Sequence, residues 1–166
     1  MPEAVIIDVV RTAGGKRNGA LSGWHPVDLA AETLKALAER NSLDAELVDD
    51  VIMGCVMQAG AQALNVGRNA VLAAGWPESV PSTTIDRQCG SSQQAYHFAA
   101  QGVMAGAYDV AVAAGVEREG DDAPIGDAGG GPTPRVAGLA AAVEADDRRV
   151  AVAPEALAGE ELARVE

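Results

Sequence analysis

Residues 82–115 read S-T-T-I-D-R-Q-C-G-S-S-Q-Q-A-Y-H-F-A-A-Q-G-V-M-A-G-A-Y-D-V-A-V-A-A-G, and their order decides the fold. Thr83, Thr84 and Ile85 are β-branched and predict a short buried strand. Cys89-Gly90-Ser91-Ser92 is a turn of small residues, after which Gln93 to Ala105 reads as a helix. Its apolar positions Ala95, Phe98, Ala99, Val103 and Met104 fall near one face. Gly106 ends that helix, and Val110 to Ala114 form a second apolar strand. Cys89 is thereby placed where a strand hands over to a helix N-terminus.

That position bears on chemistry. Unsatisfied backbone N–H groups and the positive end of a helix dipole favour the thiolate, which is the nucleophilic form of cysteine. The same N–H groups can hold the oxyanion formed when an acyl carbonyl is attacked. The competing reading of Cys89 is a structural cysteine, because a free thiol packs as a small hydrophobe. Position alone leaves both open.

Working outward toward the N-terminus, Ala4 to Val10 predicts a buried first strand. Arg11 to Gly23 is a Gly-rich loop whose G-G-K lacks the spacing of a phosphate-binding loop. A helix is expected from His25 to Arg40, with Pro26 and Asp28 early and Leu29, Leu34 and Leu37 as its buried stripe. His25 reads as a surface cap. Leu43 to Asp50 reads as a short polar helical turn, and Val51 to Met57 as a core strand containing Cys55. An apolar flank raises a thiol's pKa, so Cys55 is expected to be inert packing. Gln58 to Gln62 is a small-residue loop able to line a site. Asn65 to Gly75 reads as a second helix in which Arg68 faces polar partners. His97 is read as a packed or interface histidine. Alternating strands and helices imply βαβ units and a mainly parallel sheet.

Four stretches in this order resemble the thiolases. Thr84-Ile85-Asp86-Arg87-Gln88-Cys89-Gly90-Ser91-Ser92-Gln93-Gln94-Ala95 is similar to their nucleophile segment, with the C-G-S-G turn written C-G-S-S. Val9 to Leu21 resembles the opening R-T-P-x-G-K-x-x-G-x-L, and Val51 to Gly60 resembles V-x-x-G-x-V-x-Q-x-G. Asn65-Val66-Gly67-Arg68 with Gly75-Trp76-Pro77 resembles the next helix and its exit. The ketoacyl synthases, which share the fold, are less similar at the R-T-A-G-G-K opening and the C-G-S-S-Q-Q turn. The resemblance covers residues 1–117. It implies an α/β fold, a thiolase-like N-terminal half-domain with a mainly parallel mixed sheet and packed helices.

The resemblance also implies acyl transfer between coenzyme A thioesters, with Cys89 as the catalytic residue. Cys89 would take an acyl group from a 3-ketoacyl-CoA, or join two acetyl-CoA molecules in reverse. It implies no metal and no bound cofactor, coenzyme A entering only as part of the substrate; no residue is assigned to coenzyme A. A homo-oligomer, dimer or tetramer, is the expected assembly. Thiolases use a second half-domain carrying a histidine, another cysteine and an asparagine. A chain of 166 residues is therefore expected to be a truncated member, and a catalytically inactive fragment is the alternative to a working acyltransferase.

Beyond Glu117 the character changes. All five aromatics precede it, whereas the last 49 residues hold 12 alanines, 7 glycines and 11 acids against 5 bases. Residues 118–166 are expected to form an acidic tail, disordered or weakly helical at Ala140–Val143 and Pro154–Val165. Where the family continues G-V-E-S-M-S, Glu117 is followed by Arg118-Glu119-Gly120-Asp121, an abrupt break that suggests a frameshift. The formal net charge of −12 argues against nucleic acid and anionic membrane surfaces as partners. Two cysteines without a disulfide framework, a start lacking a signal-like region, and no membrane-length apolar run favour the cytoplasm.

Overall fold

A computed structural model describes residues 3–16, 19–118 and 137–145, the last segment as backbone only. In chain order the elements are β1 (Ala4–Arg11), α1 (Pro26–Asn41), β2 (Asp50–Gly54), α2 (Val66–Ala73), β3 (Ser82–Ile85), α3 (Ser91–Met104), β4 (Val110–Glu117) and β5 (Ala137–Ala145). Short 3-10 turns at Ala45–Leu47 and Gly60–Gln62 flank β2.

The strands form one sheet in the order β1-β5-β4-β2-β3. The β2 strand pairs parallel with both β3 and β4, and β5 pairs antiparallel with both β4 and β1. Four strands therefore run one way and β5 opposes them. The sheet is mixed and mainly parallel.

Side-chain alternation along β2 and β4 divides the core between two faces. Val51, Met53, Val112, Ala114 and Val116 pack with Leu34 and Leu37 of α1 and Val66, Ala70 and Val71 of α2. Ile52, Ala111 and Ala113 pack with Ala95, Ala99 and Val103 of α3. Every second residue thus meets a different helix layer. The result is a three-layer α/β/α arrangement.

Helix α1 begins at Pro26, with the His25 Nδ1 accepting the Val27 N–H at 3.3 Å, and Asp28 in its first turn. It ends at Ser42, which takes a left-handed conformation and returns its N–H to the Glu39 carbonyl at 3.3 Å. Leu29, Leu34 and Leu37 are buried, as the stripe requires.

Four expectations are corrected. The strand of Thr83 to Ile85 is not buried: β3 is an edge strand, with Thr83 exposed and its other residues half-buried, because only β2 pairs with it. The first strand is not fully buried: Val5, Ile6 and Val9 are 40%, 51% and 39% exposed. It is an edge strand whose Ile7 and Val10 pack against the α1 layer and whose Ala4 packs against the α3 layer. Phe98 and Met104 point outward from α3, since only the small Ala95 and Ala99 together with Val103 meet the sheet. Residues 140–143 are strand, not weak helix. Both β1 and β4 offer backbone groups there, and pairing on two sides outweighs the poor β propensity of alanine. The helix expected over Pro154–Val165 lies outside the described residues.

Asp8 ties β1 to the end of α1. It is 8% exposed, and its carboxylate accepts from the Arg40 guanidinium at 3.2 Å and the Asn41 amide at 2.9 Å. It also accepts the neighbouring Val9 N–H at 2.8 Å, so removing the carboxylate takes a partner from three donors. Asp8→Ala is expected to lower unfolding free energy by about 2 kcal/mol, measured by urea denaturation.

Candidate active site

The parallel strands β2, β3 and β4 end side by side at Gly54, Ile85 and Glu117. Such carboxyl ends are where open α/β sheets place their chemistry. Residues 86–90 leave β3 there and turn into α3. The Asp86 carboxylate accepts the Gln88 N–H at 2.7 Å, which holds Gln88 in the left-handed region at φ 48°. Ser91 Oγ accepts the Arg87 N–H at 2.9 Å and donates to the Gln88 carbonyl at 2.7 Å. The Arg87 guanidinium also donates to Gln94 Oε1. Cys89, at the crest of this turn, is exposed.

Two glycines make the seat for this turn. Gly54 and Gly115 are paired in register on β2 and β4. A Cβ on Gly54 would lie 2.3 Å from the Ser92 nitrogen, and one on Gly115 would lie 1.8 Å from Ser92 Oγ. Helix α3 can approach this closely only because both positions lack a side chain. Gly90 supplies the N-cap, with no side chain satisfying the first N–H groups of the helix.

The other cysteine is in a different state. Cys55 lies one residue past the end of β2, its N–H donates to the Ile85 carbonyl at 3.0 Å, and its side chain is fully buried. Burial, reinforced by the negative charges of Glu117 and Asp86, pushes its thiol up to about 12. It is a protonated packing residue. The strand expected to run to Met57 stops at Gly54, three residues earlier.

The loop after β2 is fastened to the end of β4. The Glu117 carboxylate accepts the Val56 N–H, and the Met57 N–H at 3.5 Å. Buried Gln62 donates to the carbonyls of Met57 at 2.9 Å and Arg118 at 3.2 Å, and accepts the Arg118 N–H at 2.6 Å. Sequence reading placed Gln58 to Gln62 near the site but missed Glu117, whose partners lie 61 and 60 residues away. Asn65 caps α2 from a left-handed conformation and accepts the Thr84 hydroxyl at 2.7 Å. Arg68 meets the polar partners expected of it, donating to the carbonyls of Val80 and Glu78 at 2.6 and 2.9 Å. His97 is exposed beside Tyr96 at a ring separation of 5.9 Å, so within this chain it is not packed.

The family model for the thiolase N-terminal domain matches residues 4–125. The chain belongs to the thiolase family. A steroid 3-ketoacyl-CoA thiolase of Mycobacterium tuberculosis, FadA6, is 58% identical over 117 residues, which are 70% of this chain and 29% of that protein. A β-ketoadipyl-CoA thiolase of Escherichia coli is 52% identical over 118 residues, again 70% and 29% of the two chains. A 3-ketoacyl-CoA thiolase of Saccharophagus degradans is 46% identical over 120 residues, 71% of this chain and 31% of the other. The chain therefore spans roughly a third or less of the length of these thiolases.

Proposed function

We propose that this chain carries the nucleophile half of a thiolase-type acyltransferase acting on coenzyme A thioesters, with Cys89 as the acyl acceptor. The observation that carries the reading is the contrast between the two cysteines. Cys89 is exposed on a braced turn ahead of the α3 N-terminus, whereas Cys55 is buried with its thiol pushed up to about 12.

In the degradative direction, Cys89 sulfur attacks the 3-keto carbon of a 3-ketoacyl-CoA. The C2–C3 bond breaks, and the departing two-carbon unit takes up a proton to leave as acetyl-CoA. The acyl group remains as a thioester on Cys89 until the thiol of free coenzyme A attacks it and returns the proton to the sulfur. Backbone N–H groups at the start of α3 stabilise the oxyanion at each addition. The residue that moves the protons comes from outside the described residues, in keeping with the second half-domain implied by the resemblance. Cytoplasmic location and a homo-oligomeric assembly belong to the same reading.

A second reading is a catalytically silent chain that serves at most as an assembly partner. One experiment separates the two. The purified protein is incubated with acetoacetyl-CoA, with and without free coenzyme A, and followed by mass spectrometry and thiolysis assay. A thioester on Cys89 that is absent from Cys89→Ala supports the nucleophile reading. Turnover that survives Cys89→Ala sinks it, and neither adduct nor turnover in the wild type leaves the silent chain.

A further inference from the structure

We propose that Glu117 is a positioning residue for Cys89, acting through the backbone of the β2–α2 loop; the inference rests on the nucleophile reading and extends it. Its carboxylate closes over two consecutive N–H groups, those of Val56 and Met57. Hydrogen bonds to a carboxylate are stronger than neutral ones. Immediately before those residues come the two that fix the nucleophile turn. Gly54 lies against the backbone of Ser91 and Ser92, and the Cys55 N–H holds the Ile85 carbonyl at 3.0 Å, directly ahead of Asp86. From Glu117 the restraint passes to Val56 and Met57, then to Gly54 and Cys55, and from there to both ends of residues 86–92. Gln62 bridges Met57 to Arg118 in parallel, so the loop and the β4 exit form one unit.

The geometry gives Glu117 this part because no other described side chain accepts the Val56 N–H, while the Met57 N–H is shared with the Cys55 sulfur. Glutamine at the position retains one oxygen acceptor but turns an NH2 group toward the second N–H. Alanine retains neither. The order of effect is therefore set by acceptor count, which a general loss of stability does not reproduce.

The test uses the full chain as wild type, Glu117→Gln, Glu117→Ala and the stability control Asp8→Ala. Two quantities are read: amide hydrogen exchange across residues 86–92, and the rate of Cys89 carbamidomethylation by iodoacetamide. Exchange in the turn is expected to quicken, and the Cys89 rate to fall, by about tenfold in Glu117→Ala and less in Glu117→Gln. Asp8→Ala is expected to match wild type on both. If Glu117→Ala fails to fold, Glu117→Gln carries the comparison. Wild-type exchange across 86–92 in the Gln variant overturns the proposal. So does altered exchange with an unchanged Cys89 rate, which reduces Glu117 to a structural contact. Equal labelling of Cys89 and Cys55 in the wild type would count against the nucleophile reading instead, and the exchange comparison would still decide whether Glu117 orders the turn.

Discussion

Gly54→Ala is expected to destabilise the fold by about 3 kcal/mol or more, more than other single substitutions on this sheet. The added methyl would sit 2.3 Å from the Ser92 nitrogen, 2.4 Å from the Ser91 carbonyl carbon and 2.6 Å from the Ser92 Cα. All three are backbone atoms of the first turn of α3, so no rotamer change relieves the overlap. Either α3 moves off β2 or the strand does, and the packing of Ile52 against Ala95 and Ala99 is lost with it. Gly115→Ala is the informative comparison. Its nearest clashes, 1.8 and 2.7 Å, are with the side chain of Ser92, so part of its cost should be recovered in a Gly115→Ala, Ser92→Gly double variant. Urea unfolding of the three proteins checks the order. An unfolding midpoint for Gly54→Ala equal to that of wild type would mean α3 does not rest on β2 as described.

The second large effect is alkaline. Cys55 keeps its proton in the fold to about pH 12, against an ordinary value of 9.0, chiefly because its burial penalises the thiolate. The folded state therefore binds this proton more tightly than the unfolded chain. Its contribution is fully present below pH 9 and declines as pH rises toward 12. The full difference corresponds to about 4 kcal/mol, of which roughly 2 to 3 is gone by pH 11. Tyr108 adds to the same limb, because its hydroxyl donates to Asp50 at 2.9 Å and its pKa is raised by that bond. Denaturation midpoints between pH 8 and 11 should fall in wild type, fall less in Tyr108→Phe, and flatten most in Cys55→Ala. A Cys55→Ala protein with an unchanged alkaline slope would show that the thiol is not the titrating group.

The elements of residues 82–115 were legible because their signals are local. The β-branched residues Thr83 to Ile85 precede small turn residues, and a helical repeat then ends at Gly106. The turn position of Cys89 and the burial of Cys55 follow from the same patterns. Other features depended on distant partners. An apolar run such as Ala4 to Val10 does not say whether its strand is central or at an edge, and Val5, Ile6 and Val9 proved exposed. Residues 137–145 read as tail because Ala-Gly-Leu-Ala-Ala-Ala-Val has little β propensity of its own; the strand exists through pairing on both sides. Glu117 carries no local mark of its role, since an acid at a strand end is ordinarily solvated. Only the return of β4 alongside β2 brings it to Val56.

The place of β5 between β1 and β4 sets an order of events during synthesis. Of the described strands the ribosome releases β1 first, yet its partner in the sheet is residues 137–145. At about 5 to 20 residues per second, the first strand waits on the order of ten seconds for the one that receives it. During that interval β2, β3 and β4 can assemble with their helices, while Val5, Ile6 and Val9 have no strand beside them. The earliest made of the described strands is the last of them to be docked, and that wait is when a chaperone, or a neighbouring nascent chain, has its opening.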